Sequence, residues 1–546
     1  MKKLLLGILF PITAFSQWTN NSKINTPVCA AADNQYDERI ISDGMGGAIT
    51  IWTDDRTGAP DIYVQRLDSA GNAKWTADGI AICADANDQF APVLVEDGSG
   101  GAIIVWKDLR NGNSDIYAQH VNSAGAVQWT INGIAVDTKS GEQIDPKIIS
   151  DGANGAIIVW QDSLSGSWDI YAQRISGSGV NMWSAGGMAV CTTADDQKNP
   201  RIEIDGSGGA IIVWQDKRNT NDYDIYAQRL NSSGVPQWAA NGEAVCSFTE
   251  TQNNPKLKSD GAGGAIIAWT DKRNISDYDV YAQRLNSSGV SQWTANGKVI
   301  STEVNNQSAI DISTENISGA IITWKDYRTN IYADVYAQYI NLAGAVQWTV
   351  NGIAVSTKPF DQINPNIVTD SAGAIIVWQD SSSGQWDVYG QKILLNGTSQ
   401  WGTNGKIICN ADSSQISPKH ISDGKGGAIV CWQDKRSGQF DIYTQNINSD
   451  GSLGTIVGMD EKMAVGNGSW QIYPNPNDGK FNLIISQFDN LKMGKLKIYN
   501  ILGEIVYSEK LSTINYQLST NLPIGIYFYK ISFENNFIQT GKMVVR

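Results

Sequence analysis

A phrase close to GGAIIVWQD…DIYAQRL recurs eight times along this chain, and that recurrence limits its fold more than any other feature. Its tryptophans stand at Trp52, Trp106, Trp160, Trp214, Trp269, Trp324, Trp378 and Trp432, spaced 54 or 55 residues apart. An aspartate follows two residues after each, from Asp54 to Asp434, and then a Tyr-x-Gln, from Tyr63 and Gln65 to Tyr443 and Gln445. One unit of this size cannot bury its own apolar surface, so the copies must stack on one another.

Each unit reads as four strands. In the fourth, residues 201–204 form the first strand and 205–209 a Gly-rich turn. Residues 210–215 form the second strand, 225–230 the third, and the fourth lies around Trp238. The second strand, Ala-Ile-Ile-Val-Trp, does not alternate apolar with polar residues, so both of its faces must be covered. Four-stranded sheets stacked face to face around an axis provide that cover, which predicts an all-β, eight-bladed β-propeller. The frequencies of Gly (54), Trp (19) and Tyr (20), with only 18% charged residues, suit such a fold.

The ends of the repeat predict how the ring closes. Seven units carry a second tryptophan, at Trp75, Trp129, Trp183, Trp238, Trp293, Trp348 and Trp401, but the eighth has Thr455 and Ile456 where its copy belongs. The missing residue appears near the other end of the chain as Trp18. The N-terminal stretch is therefore expected to supply the outer strand of the last blade. The competing arrangement gives that role to residues 452–458.

The chain divides on this reading into a signal peptide at 1–16, a propeller at 17–456, a linker at 457–470 and a C-terminal module at 471–546. Lys2 and Lys3 precede a short apolar run and then Ala14-Phe15-Ser16, the order of a secretory signal. A formal net charge of −14 argues against nucleic acid and anionic membrane surfaces as partners. Five of the six cysteines (Cys29, Cys83, Cys191, Cys246 and Cys409) share one repeat position. Neighbouring blades would hold them ~10 Å apart, beyond the ~7 Å limit for a disulfide. Free buried thiols are expected, with Cys431 in the core.

Catalytic chemistry is hard to find in the repeats. His120 and His420 fall at unrelated repeat positions and read as structural, and no metal or cofactor motif is present. The Asp-Gly-x-Gly-Gly segments lack the spaced carboxylates of a calcium loop and read as hairpin turns. Trp-x-Asp-x-Arg, with Arg56, Arg110, Arg218, Arg273, Arg328 and Arg436, repeats too faithfully for one active site and reads as blade architecture. The loop glutamines Gln35, Gln89, Gln143, Gln197, Gln252, Gln307, Gln362 and Gln415 read the same way.

Function is sought where the units differ. The residue before the Asp of DIY or DVY is aromatic in five units: Trp168, Tyr223, Tyr278, Trp386 and Phe440. Aromatic faces near Asp, Asn and Gln suit sugar rings, so these five are the candidate ligand-binding residues. Units three and seven carry Trp there and have lost the Arg, which suggests that the indole fills the vacated space. The expected function is a non-enzymatic binding or adhesion module for an extracellular glycan or protein, with no catalytic residues. The alternative is a secreted hydrolase of polysaccharide or peptide that uses loop carboxylates such as Glu142, Asp195, Asp196, Glu250 and Asp361.

Beyond the repeats the rhythm changes. Ile472-Tyr473-Pro474-Asn475-Pro476, Gly479-Lys480-Phe481, the 496–503 segment ending at Gly503, Gly525-Ile526-Tyr527 and the terminal 541–546 follow in order. Together they resemble the type A C-terminal sorting domain of the type IX (Por) secretion system. The resemblance implies an Ig-like β-sandwich that carries cargo across the outer membrane of a Bacteroidota cell. Implied partners are the secretion machinery, its C-terminal signal peptidase and surface lipopolysaccharide, with a secreted or surface-attached product.

Overall fold

The computed structural model describes residues 18–219, 222–329, 331–454, 469–473, 480–486, 494–500, 504–511, 515–519, 522–533 and 538–545. The expected signal peptide at 1–16 and nearly all of the linker lie outside them. The chain separates into two compact units, Met1–Thr455 and Ile456–Arg546.

The first unit contains eight antiparallel four-stranded sheets. The second strands, such as Ala210–Asp216, are buried along their whole length, as their unbroken apolar sequence requires. Their partners lie in the same register in every blade, with Trp214 opposite Tyr226 and Asp216 opposite Asp224 in the fourth. Apolar side chains of successive blades interlock: Ile211, Val213 and Ile225 of one share a cluster with Leu257, Ile267 and Trp269 of the next.

One detail of the predicted blade shifts. The fourth strand is Glu243–Cys246, and Trp238 sits in the connection before it. The Gln of Tyr-x-Gln orders that connection. Gln228 donates from Nε2 to the Ala239 carbonyl at 2.7 Å and accepts the Trp238 N–H on Oε1 at 3.0 Å. The indole then reaches the following blade, where Nε1 donates to the Ser287 carbonyl at 3.1 Å.

The ring closes through the N-terminal stretch. Thr26–Cys29 is the outer strand of the last blade, paired with Asp441–Ile447. Trp18, 3% exposed, takes the position of the missing tryptophan. It donates to the Ser69 carbonyl at 2.9 Å and lies against Gly71, where a Cβ would come within 2.9 Å of the indole. Gly71 also has φ +82°, so glycine is required there twice over. Trp18, Val28 and Cys29 join Trp52 of the first blade and Ile442 of the last in one core cluster. In the competing segment at 452–458, Leu453 makes a single bridge to Ile447, and residues beyond 454 lie outside the described set.

The second unit is also built of strands. Ser469–Tyr473, Lys480–Ser486 and Asn515–Ser519 form one antiparallel sheet. Gly494–Tyr499, Ile505–Leu511, Gly525–Phe533 and Ile538–Val545 form another.

Candidate functional site

The repeated residues build a scaffold. In the fourth blade Asp216, fully buried, accepts the Trp214 indole N–H at 2.7 Å and Arg218 Nε at 2.8 Å. The Arg218 guanidinium stacks on Tyr226, 3.9 Å from its ring centre, and also donates to the Asn241 carbonyl at 2.7 Å. The loop glutamines are wholly buried, and all but Gln143 cap loop carbonyls, as when Gln35 donates to Ala32 and Asp33. In the hairpin turns Asp43 accepts from the backbone N–H of Met45 and Gly47, while Arg66 pairs with its other oxygen at 3.0 Å. His120 stands in for that Arg, 2.9 Å from Asp97. All six cysteines are buried and unpaired, and desolvation pushes the Cys83 thiol up to about 12.

Units three and seven differ from expectation. Trp168 and Trp386 do not fill the place of the lost Arg. A lysine from the preceding inter-blade loop does, with Lys139 3.9 Å over Tyr171 and Lys358 3.7 Å over Tyr389. A cation–π contact with the tyrosine face is kept by a different part of the chain.

The five aromatic residues lie at the seams between blades, and each is half-buried. Their backbones are fixed there. The carbonyls of Trp168, Tyr223, Tyr278, Trp386 and Phe440 accept the N–H of Gln197, Gln252, Gln307, Gln415 and Gln35 of the following blade, at 2.6–2.7 Å. The Tyr278 hydroxyl accepts from Asn253 at 3.2 Å, and Lys435 lies 5.5 Å over the Phe440 ring.

On the same face the first blade carries an acidic group without counterpart in the others. Tyr36 donates its hydroxyl to Asp55 at 3.1 Å. Desolvation, with Asp54, Asp33 and Asp88 beside it, raises the Asp55 carboxyl above its ordinary range. Phe440 adjoins the group, since its N–H bonds the Asn34 side chain at 3.2 Å and the Asn34 carbonyl accepts from Asp55 N. None of the carboxylates considered from sequence belongs to this group.

A second departure from the repeat lies on the axis. Four residues after each loop Gln, the first strands place Arg39, Val93, Lys147, Arg201, Lys256, Asp311, Asn366 and Lys419 at one register level. A bulge just before this level repeats in every blade, with Asp37, Asp145 and Asn199 at φ 57°, 54° and 53°. A cavity of about 240 Å³ there is lined by Arg39, Lys147 and Arg201 among others. It adjoins one of about 800 Å³ that touches all eight blades and opens among hairpin turns at the exposed Gly44 and Gly424. Nothing in the sequence reading singled out this ring, although aligning the repeats on the loop Gln would have displayed it as one column.

His420 is buried at the seam of blades seven and eight, 3.1 Å from the Ile375 carbonyl. Desolvation lowers it to about 4.

In the C-terminal unit, Gly525 opens a strand, and the buried Tyr527 donates its hydroxyl to the Pro523 carbonyl at 2.8 Å. Tyr473 ends the strand Ser469–Tyr473. Pro474, Asn475, Pro476 and Gly503 lie outside the described residues.

Residues 471–546 match the family described as "Secretion system C-terminal sorting domain". No curated protein matches the chain. Similar solved structures include an endo-arabinase from Bacteroides thetaiotaomicron, 16% identical, with a TM-score of 0.28 over 50% of this chain and 99% of that one. The polysaccharide lyase Uly1 is 12% identical, with a TM-score of 0.41 over 76% of this chain and 100% of that one. A puromycin-hydrolyzing peptidase of Mycobacterium tuberculosis is 8% identical, with a TM-score of 0.41 over 77% of this chain and 61% of that one. The expectation of a non-enzymatic protein is corrected here: these similar structures are all enzymes, and the exclusion of catalysis is withdrawn. The match at 471–546 identifies this exported eight-bladed propeller as a cargo of the type IX secretion system.

Proposed function

We propose that the propeller acts on extracellular polysaccharide at the face formed by its second-to-third-strand loops and blade connections, as a glycoside hydrolase. The observation that carries this reading is the acidic group of the first blade. A hydrolase needs one carboxyl held toward its acid form beside another that stays ionised. Asp55, raised by burial and its acidic neighbours against the opposing pull of the Tyr36 hydrogen bond, fits the proton donor. Asp88, beside it, is the candidate second carboxylate. Trp168, Tyr223, Tyr278, Trp386 and Phe440 would then hold sugar rings along the seams, through stacking on their exposed parts. The signal peptide at 1–16 and removal of the sorting domain by the C-terminal signal peptidase belong to the same proposal. So does attachment to lipopolysaccharide.

The test is release of reducing ends from a panel of neutral and acidic polysaccharides by the full chain. Asp55→Asn is expected to lower turnover at least ~100-fold with substrate binding retained. Trp168→Ala combined with Trp386→Ala is expected to raise KM. No cleavage across the panel, or cleavage untouched by Asp55→Asn, would overturn the proposal.

A further inference from the structure

The axial ring is a concentration of positive charge in a strongly acidic chain. Five of its eight positions are cations, Arg39, Lys147, Arg201, Lys256 and Lys419, against the single carboxylate of Asp311. They come from five different blades and sense one another electrostatically across the axis. Repetition cannot explain them, because the same position holds Val93 in the second blade and Asn366 in the seventh.

Their internal partners leave part of the charge unmatched, since buried Glu38, beside Arg39 and Lys419, is itself pushed up to about 7 by desolvation. Lys147 pairs with Asp145, and Arg201 lies 3.8 Å from the same carboxylate. Arg39, Lys256 and Lys419 make no ion pair among the described residues. Arg39, Arg201 and Lys419 instead donate to the carbonyl of the residue before them, at 2.8, 2.8 and 3.4 Å. Such bonds fix the direction of a side chain without neutralising it. Gathering like charges in a partly buried space is costly unless a counter-charge is supplied. Burial accordingly lowers Lys147 and Lys256 to about 8.

We propose that this ring binds a compact oxyanion, a sulfate or carboxylate group, carried by an extracellular saccharide or present as the free ion. Guanidinium forks match the paired oxygens of either group, and the ammonium groups add point charge around them. The cavity of about 240 Å³ has space for roughly eight waters at ~30 Å³ each, enough for a hydrated ion or an acidic sugar unit. The larger cavity supplies the entry path from the hairpin-turn face. This site does not depend on the hydrolase reading.

Titration calorimetry of the full chain in chloride buffer tests it, with sodium sulfate, a uronic-acid disaccharide and a neutral disaccharide of the same size. Sulfate or the uronate is expected to bind, and the neutral sugar is not. Binding by both anions marks the free ion as sufficient, and binding by the uronate alone assigns the site to a saccharide. Lys147→Gln with Arg201→Gln, both lining the smaller cavity, is expected to weaken binding at least tenfold, while Lys107→Gln, away from the axis, leaves it unchanged. Should the double variant fail to fold, selenate soaked into crystals of the unaltered chain is expected to give an anomalous peak among Arg39, Lys147 and Arg201. No anion binding, equal binding by the double variant, or selenate only elsewhere would overturn the proposal, whatever the outcome of the cleavage assays.

Discussion

The middle of each blade and the inner edge that lines the axis obey different rules. In the middle, Trp, Asp and Tyr recur in all eight units, and Asp216 with Trp214, Arg218 and Tyr226 forms a closed set of mutually satisfied groups. At the inner edge the backbone repeats, down to a bulge with left-handed residues, yet the side chains do not. The difference teaches where to look in a repeat protein. Side chains kept identical in every unit are held by a structural demand common to all units, whereas those that vary on an invariant backbone are free to serve one ligand.

The largest expected effect lies in the repeated set. Asp216→Ala strands a half-buried guanidinium and a buried indole N–H, and should cost ~3–5 kcal/mol in urea unfolding of the full chain. Asp162→Ala in the third blade should cost less, ~1–2 kcal/mol. There the Trp160 N–H already lacks a partner and Lys139 lies 3.4 Å away in place of the Arg. Equal losses would break the claim that the closed set carries the stability.

His420 gives an intermediate effect and a sign. Seven blades have Ile or Leu at its position, for example Ile40, Leu94 and Ile367. Its folded pKa of about 4 lies below the unfolded value, so the unfolded chain takes up the proton first. Stability from this residue is therefore lost as pH falls from about 6.5 toward 4, by up to ~3 kcal/mol. Thermal unfolding across that range should show His420→Leu losing less stability than the unaltered chain. Parallel curves would show that the site tolerates the imidazolium.

The smallest effect is expected on the axis, and in the opposite direction. Lys256→Met removes a partly buried, unpaired cation and should stabilise the full chain by ~1 kcal/mol at pH 7 in anion-free buffer. A destabilisation there would mean that the ring holds the blades together, and the contrast between blade middle and inner edge would fail.

Much of this protein was legible in its sequence because periodicity is a local signal. Unbroken apolar strands required sheets covered on both faces, and the displaced Trp18 foretold which end of the chain closes the ring. The sorting module was legible because its motifs follow one another in order. The ring at Arg39, Lys147, Arg201, Lys256 and Lys419 was not, since its members lie in different blades and each alone looks like a surface charge. Asp55 was missed for a similar reason: its neighbours Asp33 and Asp88 matter only once the fold brings them together.

The eightfold repeat, the order of the strands and the address at residues 471–546 were thus fixed by the order of amino acids alone, because each depends on hydrophobic pattern or motif spacing along the chain. Which charges meet on the axis, and which carboxyl is pushed toward its acid form, was decided only by the closed ring. Electrostatics and desolvation depend on distance through space, and closure sets those distances.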